Sequence, residues 1–216
     1  MKKVELSVYS FDELDKEIQR KIIERERESE REFFCNYVLE EDMNYKSKEL
    51  CDKFDIELKN CIYDLGCGYR DNVIIEGYIQ KNNFINIIKD LKLFNKEEIE
   101  SINKYFLFDN IEIKRNSFNS FDVNSNILVN FNNEDYYYVE DLENDNLELA
   151  KLFDKFENFI EDEFHNIIDE NINSELVKYG NDLLDYFYTT DFENDIKIKL
   201  IDDDVLFFEN GDEYID

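Results

Sequence analysis

The chain contains no proline, only five glycines and a single histidine among 216 residues. With so little proline and glycine, turns fall to Asn and Asp, which tolerate left-handed backbone and cap helices. Asn-rich stretches at 116–126 and 130–133 supply them. One histidine, His165, leaves one position for any Ser–His or Cys–His mechanism. It lies between Phe164 and Asn166 in an acid-rich helical pattern, the setting of a helix-surface or boundary residue. The cysteines, Cys35, Cys51, Cys61 and Cys67, form no C-x-x-C pair. That spacing argues against zinc, and reduced, buried or half-buried thiols are the expectation. No apolar stretch approaches the ~20 residues a membrane span needs. Met1-Lys2-Lys3 runs directly into an alternating polar segment, so an unexported, cytoplasmic protein is expected.

Positive charge is scarce as well. The chain carries 54 acids against 25 Lys and Arg, a net charge of −29. Residues 132–216 hold 27 acids and 5 Lys, a net of −22, while residues 1–131 hold 27 acids and 20 bases, a net of −7. Such a field repels phosphate backbones and attracts basic surfaces. Direct nucleic-acid binding is therefore not expected, whereas binding to a protein that itself binds nucleic acid is. Acidity that serves solubility alone is the competing reading.

What is present is core material. Apolar residues make up 43% of the chain, with nineteen Phe and fourteen Tyr, enough for a buried core at this length. The spacing predicts a single α+β domain over 1–216, with a mixed or antiparallel sheet and several helices, including a long C-terminal helix pair. The shift of charge balance near 132–135 suggests sub-lobes 1–132 and 133–216. Val4, Leu6 and Val8 alternate as in a strand. Ser10 with Glu13 forms a capping box that predicts a helix from about Phe11, continuing through the mixed-charge residues 24–32. A second helix is expected over about 38–54. Residues 56–65 and 72–79 read as a hairpin. Asn83, and Asn95 with Glu98, are expected to cap the next two helices. Ile111 and Ile113, then Ile127, Val129 and Phe131, then residues 136–139, read as strands. Helices are expected over 146–171 and 174–188. The chain closes with the alternating Ile196, Ile198 and Leu200, then 205–208 and Asn210-Gly211, the strongest hairpin-type turn signal present.

Several local patterns carry candidate chemistry. Tyr63-Asp64-Leu65-Gly66-Cys67-Gly68-Tyr69-Arg70 resembles the S-adenosylmethionine-binding turn of class I methyltransferases. That motif needs glycine where backbone approaches the ligand and a helix immediately after it. Here Arg70 stands at the third glycine and a strand pattern comes next, so a glycine-containing hairpin turn is the plainer reading. Asp109 with Glu112-Ile113-Lys114 resembles the E-x-K strand of a large nuclease superfamily, although no neighbouring segment supplies its partner acid and an exposed charged strand face is the plainer reading. Glu161-Asp162-Glu163, with Glu157 nearby, and Asp202-Asp203-Asp204 are compact anionic clusters that lack the calcium-loop pattern. They are candidate partner contacts, or else a solvated helix face and loop. Of Tyr136-Tyr137-Tyr138, alternation sends some to the core and leaves one or two, Tyr137 among them, as interface anchors. No catalytic residue, cofactor or metal ligand is assigned.

The ends of the chain carry a broader resemblance. Residues 8–24, V-Y-S-F-D-E-L-D-K-E-I-Q-R-K-I-I-E, are similar to the start of a group of uncharacterised phage and prophage proteins that open with a short strand and a Y-x-F-D-E-L helix. Residues 156–188 resemble that group's paired C-terminal helices. Leu206-Phe207-Phe208-Glu209-Asn210-Gly211-Asp212-Glu213-Tyr214 resembles its closing F-x-E-N-G hairpin, and residues 62–79 fit more loosely. The resemblance implies a phage or mobile-element origin, hence the cytoplasm of a host cell, and one α+β domain without assigned activity. By association with small acidic phage proteins, the expectation is a non-enzymatic, anti-CRISPR-like counter-defence inhibitor. It would imitate nucleic acid and occupy a basic surface of a host nuclease. A phage housekeeping or regulatory protein-binding module with incidental acidity is the alternative, and a methyltransferase the second.

Overall fold

The computed structural model describes residues 7–66, 71–116, 120–124 and 126–214. In chain order it contains β1 (Tyr9–Ser10), a 3-10 turn (Phe11–Glu13), α1 (Lys16–Tyr37), α2 (Leu39–Asp52), β2 (Glu57–Asp64), β3 (Asn72–Gln80), α3 (Lys81–Leu91), α4 (Lys96–Tyr105), β4 (Phe106–Leu107), β5 (Asn110–Arg115), β6 (Phe121–Asn124), β7 (Leu128–Phe131), β8 (Glu134–Tyr136) and α5 (Val139–Glu143). A helical run comes next: α6 (Leu147–Asn158), a π segment (Phe159–Phe164), α7 (His165–Ile168), a second π segment (Asp169–Asn173), α8 (Ser174–Asp185) and a 3-10 turn (Tyr186–Tyr188). The chain ends in α9 (Thr190–Asp202) and β9 (Leu206–Phe207). The fold is α+β, and among the described residues every strand pairing is antiparallel. No helix among them is long and apolar enough to cross a membrane. Two compact units emerge, Met1–Glu41 with Tyr179–Asp216, and Asp42–Lys178.

The first unit joins the two ends of the chain. β1 pairs with β9 in the register Tyr9 to Phe207. Val4 and Leu6 of the expected first strand lie outside the described residues. The Ser10–Glu13 capping box forms, but it closes only the 3-10 turn, because Leu14 is extended. Asp15 is the cap of α1, accepting the Glu17 N–H at 2.8 Å, so the helix starts at Lys16 rather than Phe11. Ile196, Ile198 and Leu200 belong to a helix, although their period-two alternation points to a strand. Thr189 caps α9 through the Phe192 N–H. Phe192, Ile196 and Leu200, four residues apart, are buried with Phe11, Leu14, Ile22, Phe187 and Phe207. The Asn210-Gly211 turn forms as expected: the Gly211 N–H donates to the Phe208 carbonyl at 2.9 Å. Gly211 has φ +90°, and a Cβ there would lie 2.9 Å from Cγ2 of Ile18.

Arg27 of α1 ties this unit together. Its Nε donates to the Phe187 carbonyl and its Nη2 to Glu193 Oε1, both at 2.8 Å. Its side chain is only 13% exposed, so these charge-assisted bonds count for more than a surface pair. Arg27→Lys keeps the charge but loses the fork. It should lower the unfolding free energy by about 2 kcal/mol in urea titration, and a loss below about 0.5 kcal/mol would contradict this role for the guanidinium.

The second unit contains a four-stranded sheet, β2-β3-β5-β6, and a three-stranded sheet, β4-β7-β8. The β2–β3 hairpin matches the sequence pattern, with a bulge between Leu58 and Asn60. Gly77 of β3 is required by close approach: a Cβ there would lie 2.6 Å from the Glu57 carbonyl oxygen. Asn132 and Asn133 turn β7 into β8 with φ 55° and 68°, the Asn chemistry expected of a chain without proline. α3 starts at Lys81 after Gln80, so Asn83 lies inside the helix instead of capping it. β8 stops at Tyr136, and Val139, expected in that strand, opens α5.

The break expected near residues 171–174 is absent, because the helical run continues through its π segments. Leu152, Phe156, Ile160, Phe164, Ile168, Ile172 and Leu176 are all buried at a strict spacing of four. An α-helix of 3.6 residues per turn rotates such a stripe off its face. Interleaved π turns, with their i to i+5 bonds and about 4.4 residues per turn, bring the average back to about four. The stripe packs into a phenylalanine cluster in which Phe84 meets Phe164 edge to face at 5.1 Å and Phe156 at 5.9 Å.

Glu98 couples two helices here. Its Oε2 accepts the Asn95 N–H at 2.7 Å, completing the capping box of α4 as the sequence predicts, and its Oε1 accepts from Lys155 of α6 at 2.8 Å. Burial opposes ionisation of Glu98, but the Lys155 ammonium and the Asn95 amide outweigh it and hold the carboxyl below its ordinary 4.5. A lowered folded-state value means stability that is present above pH about 4.5 and lost as pH falls through the lowered value. Glu98→Ala should cost about 1–2 kcal/mol at pH 7 and much less below pH 4. Glu98→Gln, which retains the cap, should cost less than half of that, read from denaturation curves at both pH values.

Candidate functional site

The anionic clusters are built on helices whose opposite faces are occupied by the cores. In the second unit, Phe159, Ile160 and Phe164 of the first π segment are buried, which leaves Glu161, Asp162 and Glu163 exposed on the outside of the wide turn. Glu157, one turn earlier, is half-buried. Burial pushes its carboxyl above the ordinary value, and Glu161, Asp154 and Glu140 push it further in the same direction. Four carboxylates from α5, α6 and the π segment thus share one negative field. In the first unit, Asp202 ends α9, Asp203 caps it and Asp204 takes φ 51°. All three are exposed at the negative end of the helix, where anions are disfavoured by about 0.3–1 kcal/mol each. Among the described residues no ion pair neutralises Asp154, Glu157, Glu161, Asp162, Glu163, Asp202, Asp203 or Asp204. The two clusters belong to different units.

The tyrosine triplet is divided because the strand ends inside it. Tyr136 is buried, and its hydroxyl donates to Asp145 and also bonds Glu134 at 3.0 Å, which together with burial raises its pKa. Tyr137 and Tyr138 are 63% and 68% exposed. Tyr137 lines a cleft of about 500 Å³ with Leu107, Asp109, Glu112, Lys114 and Leu128. The structure therefore brings Asp109, Glu112 and Lys114 to one concavity between the two sheets of this unit. Glu112 and Lys114 share the outer face of β5, while Ile111 and Ile113 fill the inner one. No group of three or more metal-ligating side chains is assembled among the described residues.

Cys67, Gly68, Tyr69 and Arg70 lie outside the described residues, but Asp64 pairs with Asn72 across an antiparallel hairpin. The next element among the described residues is β3, a strand, where the methyltransferase motif calls for a helix. Cys51 and Cys61 are buried free thiols and Cys35 is half-buried. Burial pushes the Cys51 thiol up to about 12, and Ser47 Oγ, which donates to the Met43 carbonyl at 2.6 Å, lies 3.0 Å from Cys61 Sγ. Burial also raises the Cys61 thiol, against the opposing effect of its contact with Ser47, and a raised value disfavours the thiolate in both. His165 is half-buried at the boundary and stacks on Phe121 at 4.2 Å. Sequence reading missed Glu140 and Asp154 as members of the Glu157 field. Asp154 was visible at three residues from Glu157, whereas Glu140 arrives only through the fold.

No protein family, curated protein or solved structure matches the chain.

Glu157 provides a direct test of the shared field. A carboxyl whose folded-state value is raised destabilises the fold when ionised, and that penalty disappears as pH falls through the raised value toward 4.5. Glu157→Gln should therefore raise the thermal midpoint at pH 7 by about 1–2 °C, with no gain below pH 4. A gain that persists at low pH would show that packing, not charge, is responsible.

Proposed function

We propose that this protein is a non-enzymatic, phage-type inhibitor of the anti-CRISPR kind. It presents unneutralised carboxylates to a basic nucleic-acid-binding surface of a host defence nuclease. The observation that carries the proposal is the arrangement of Glu157, Glu161, Asp162 and Glu163 beside Asp154 and Glu140, exposed or half-exposed and without cationic partners. Glu98, by contrast, is paired with Lys155. The carboxylates at the end of α9 likewise sit where the helix dipole penalises them. Charges that cost stability and face solvent are suited to steer a basic partner and fix its orientation. Tyr137 and Tyr138 offer rigid, exposed aromatic anchors of the type that dominates interface energetics.

The test is affinity capture from bacterial cells carrying defence nucleases, washed at low and then high salt. The expected result is a nuclease that elutes with salt, loses nucleic-acid binding when the protein is added, and binds the triple variant Glu161→Gln, Asp162→Asn, Glu163→Gln at least about tenfold more weakly. A complex indifferent to both salt and these substitutions would remove the electrostatic mechanism. Capture of phage proteins alone would turn the assignment to a housekeeping or regulatory module.

A further inference from the structure

We infer that the groove between α1 and α9 binds a small phosphomonoester. The groove encloses about 450 Å³ within the first unit, in the size range of small-ligand pockets. Lys16, Arg20 and Arg27 recur along one face of α1, and Lys197 joins them from α9. Ile23 is a buried apolar floor. Arg27 is already engaged by the Phe187 carbonyl, Glu193 and Glu24. Lys16, Arg20 and Lys197 have no ion-pair or hydrogen-bond partner among the described residues. In a chain of 54 acids, a groove lined by four cations and two carboxylates, Glu24 and Glu193, is a local reversal of charge that suits an anionic ligand.

The charge arithmetic selects the ligand. Four cations against Glu24 and Glu193 leave two positive charges in the groove. A phosphomonoester carries about −1.5 to −2 at neutral pH. The Arg20 guanidinium supplies a planar fork for two phosphate oxygens, and the lysines act as point charges. Size is constrained as well. Beyond a Debye length of roughly 8 Å the cations no longer compensate the acidic field, so the distal phosphates of a polynucleotide would meet repulsion while a compact dianion would not. The site is also independent of the acidic faces, since a basic partner suited to those is repelled here.

Thermal unfolding of the full chain, with inorganic phosphate or phenyl phosphate against chloride at equal ionic strength, tests the inference. Both phosphates should raise the midpoint in a concentration-dependent way, and phenyl phosphate more strongly because of the Ile23 floor. Amide resonances of Lys16, Arg20 and Lys197 should shift. The variant Arg20→Gln with Lys197→Gln should fold like the parent and bind at least about tenfold more weakly. A response no larger than that to chloride, or an unchanged response in the variant, would overturn the site. Tighter binding of a single-stranded oligonucleotide, lost in the same variant, would replace the small ligand with nucleic acid.

Discussion

The Arg27 guanidinium fastens α1 to the Phe187 carbonyl and to Glu193 at the start of α9, and the first unit depends on that fastening. Its segments come from opposite ends of the sequence, so nothing local holds them side by side. Other ties share the pattern. Lys199 of α9 reaches Glu30 of α1 at 2.7 Å, and Arg25 donates to the Gly211 carbonyl. In the second unit Lys155 does the same for α4 and α6. With cations outnumbered about two to one, these are placed where they join elements. The unpaired carboxylates on the outside of the helices are the other side of the same distribution.

Much of the architecture was legible because it rests on local rules. The β2–β3 hairpin, the Asn95–Glu98 box and the Asn210-Gly211 turn each arise from chemistry within a few residues. The misreadings share a cause, since two rules competed and tertiary packing chose between them. Ile196, Ile198 and Leu200 satisfy a period of two, but Phe192, Ile196 and Leu200 satisfy a period of four and had a core to face. The capping box at Ser10 was real, yet Leu14 turned extended and Asp15 took over. The π segments were also written in the sequence, as seven apolar residues at intervals of four from Leu152 to Leu176. That interval suits neither an ideal helix nor a strand, which is why it passed for an ordinary helical pattern.

The candidate site was legible only in part. Runs of acids and the tyrosine triplet show themselves in a linear chain. Which acids stand together does not, because Glu140 reaches the Glu157 field through the fold. The division of the triplet depended on β8 ending at Tyr136, a boundary set by the turn at Asn132 and Asn133. The α1–α9 groove was invisible for a similar reason. Lys16 and Lys197 are separated by nearly the whole sequence, and neither stands in a basic run.

The split origin of the first unit has a consequence for how the chain is made. Residues 42–178 are contiguous, so they can condense before residues 179–214 have been made. α1 precedes its partners in the sequence and lacks them until residues 179–214 have been made. During that interval Ile22, Ile23 and Phe34 are uncovered, and the alternating acids and bases of α1 are what keep the waiting segment dispersed. The β1–β9 pairing joins residues about two hundred apart in sequence, a contact of high order. Segments so far apart in the sequence thus finish side by side in one short sheet.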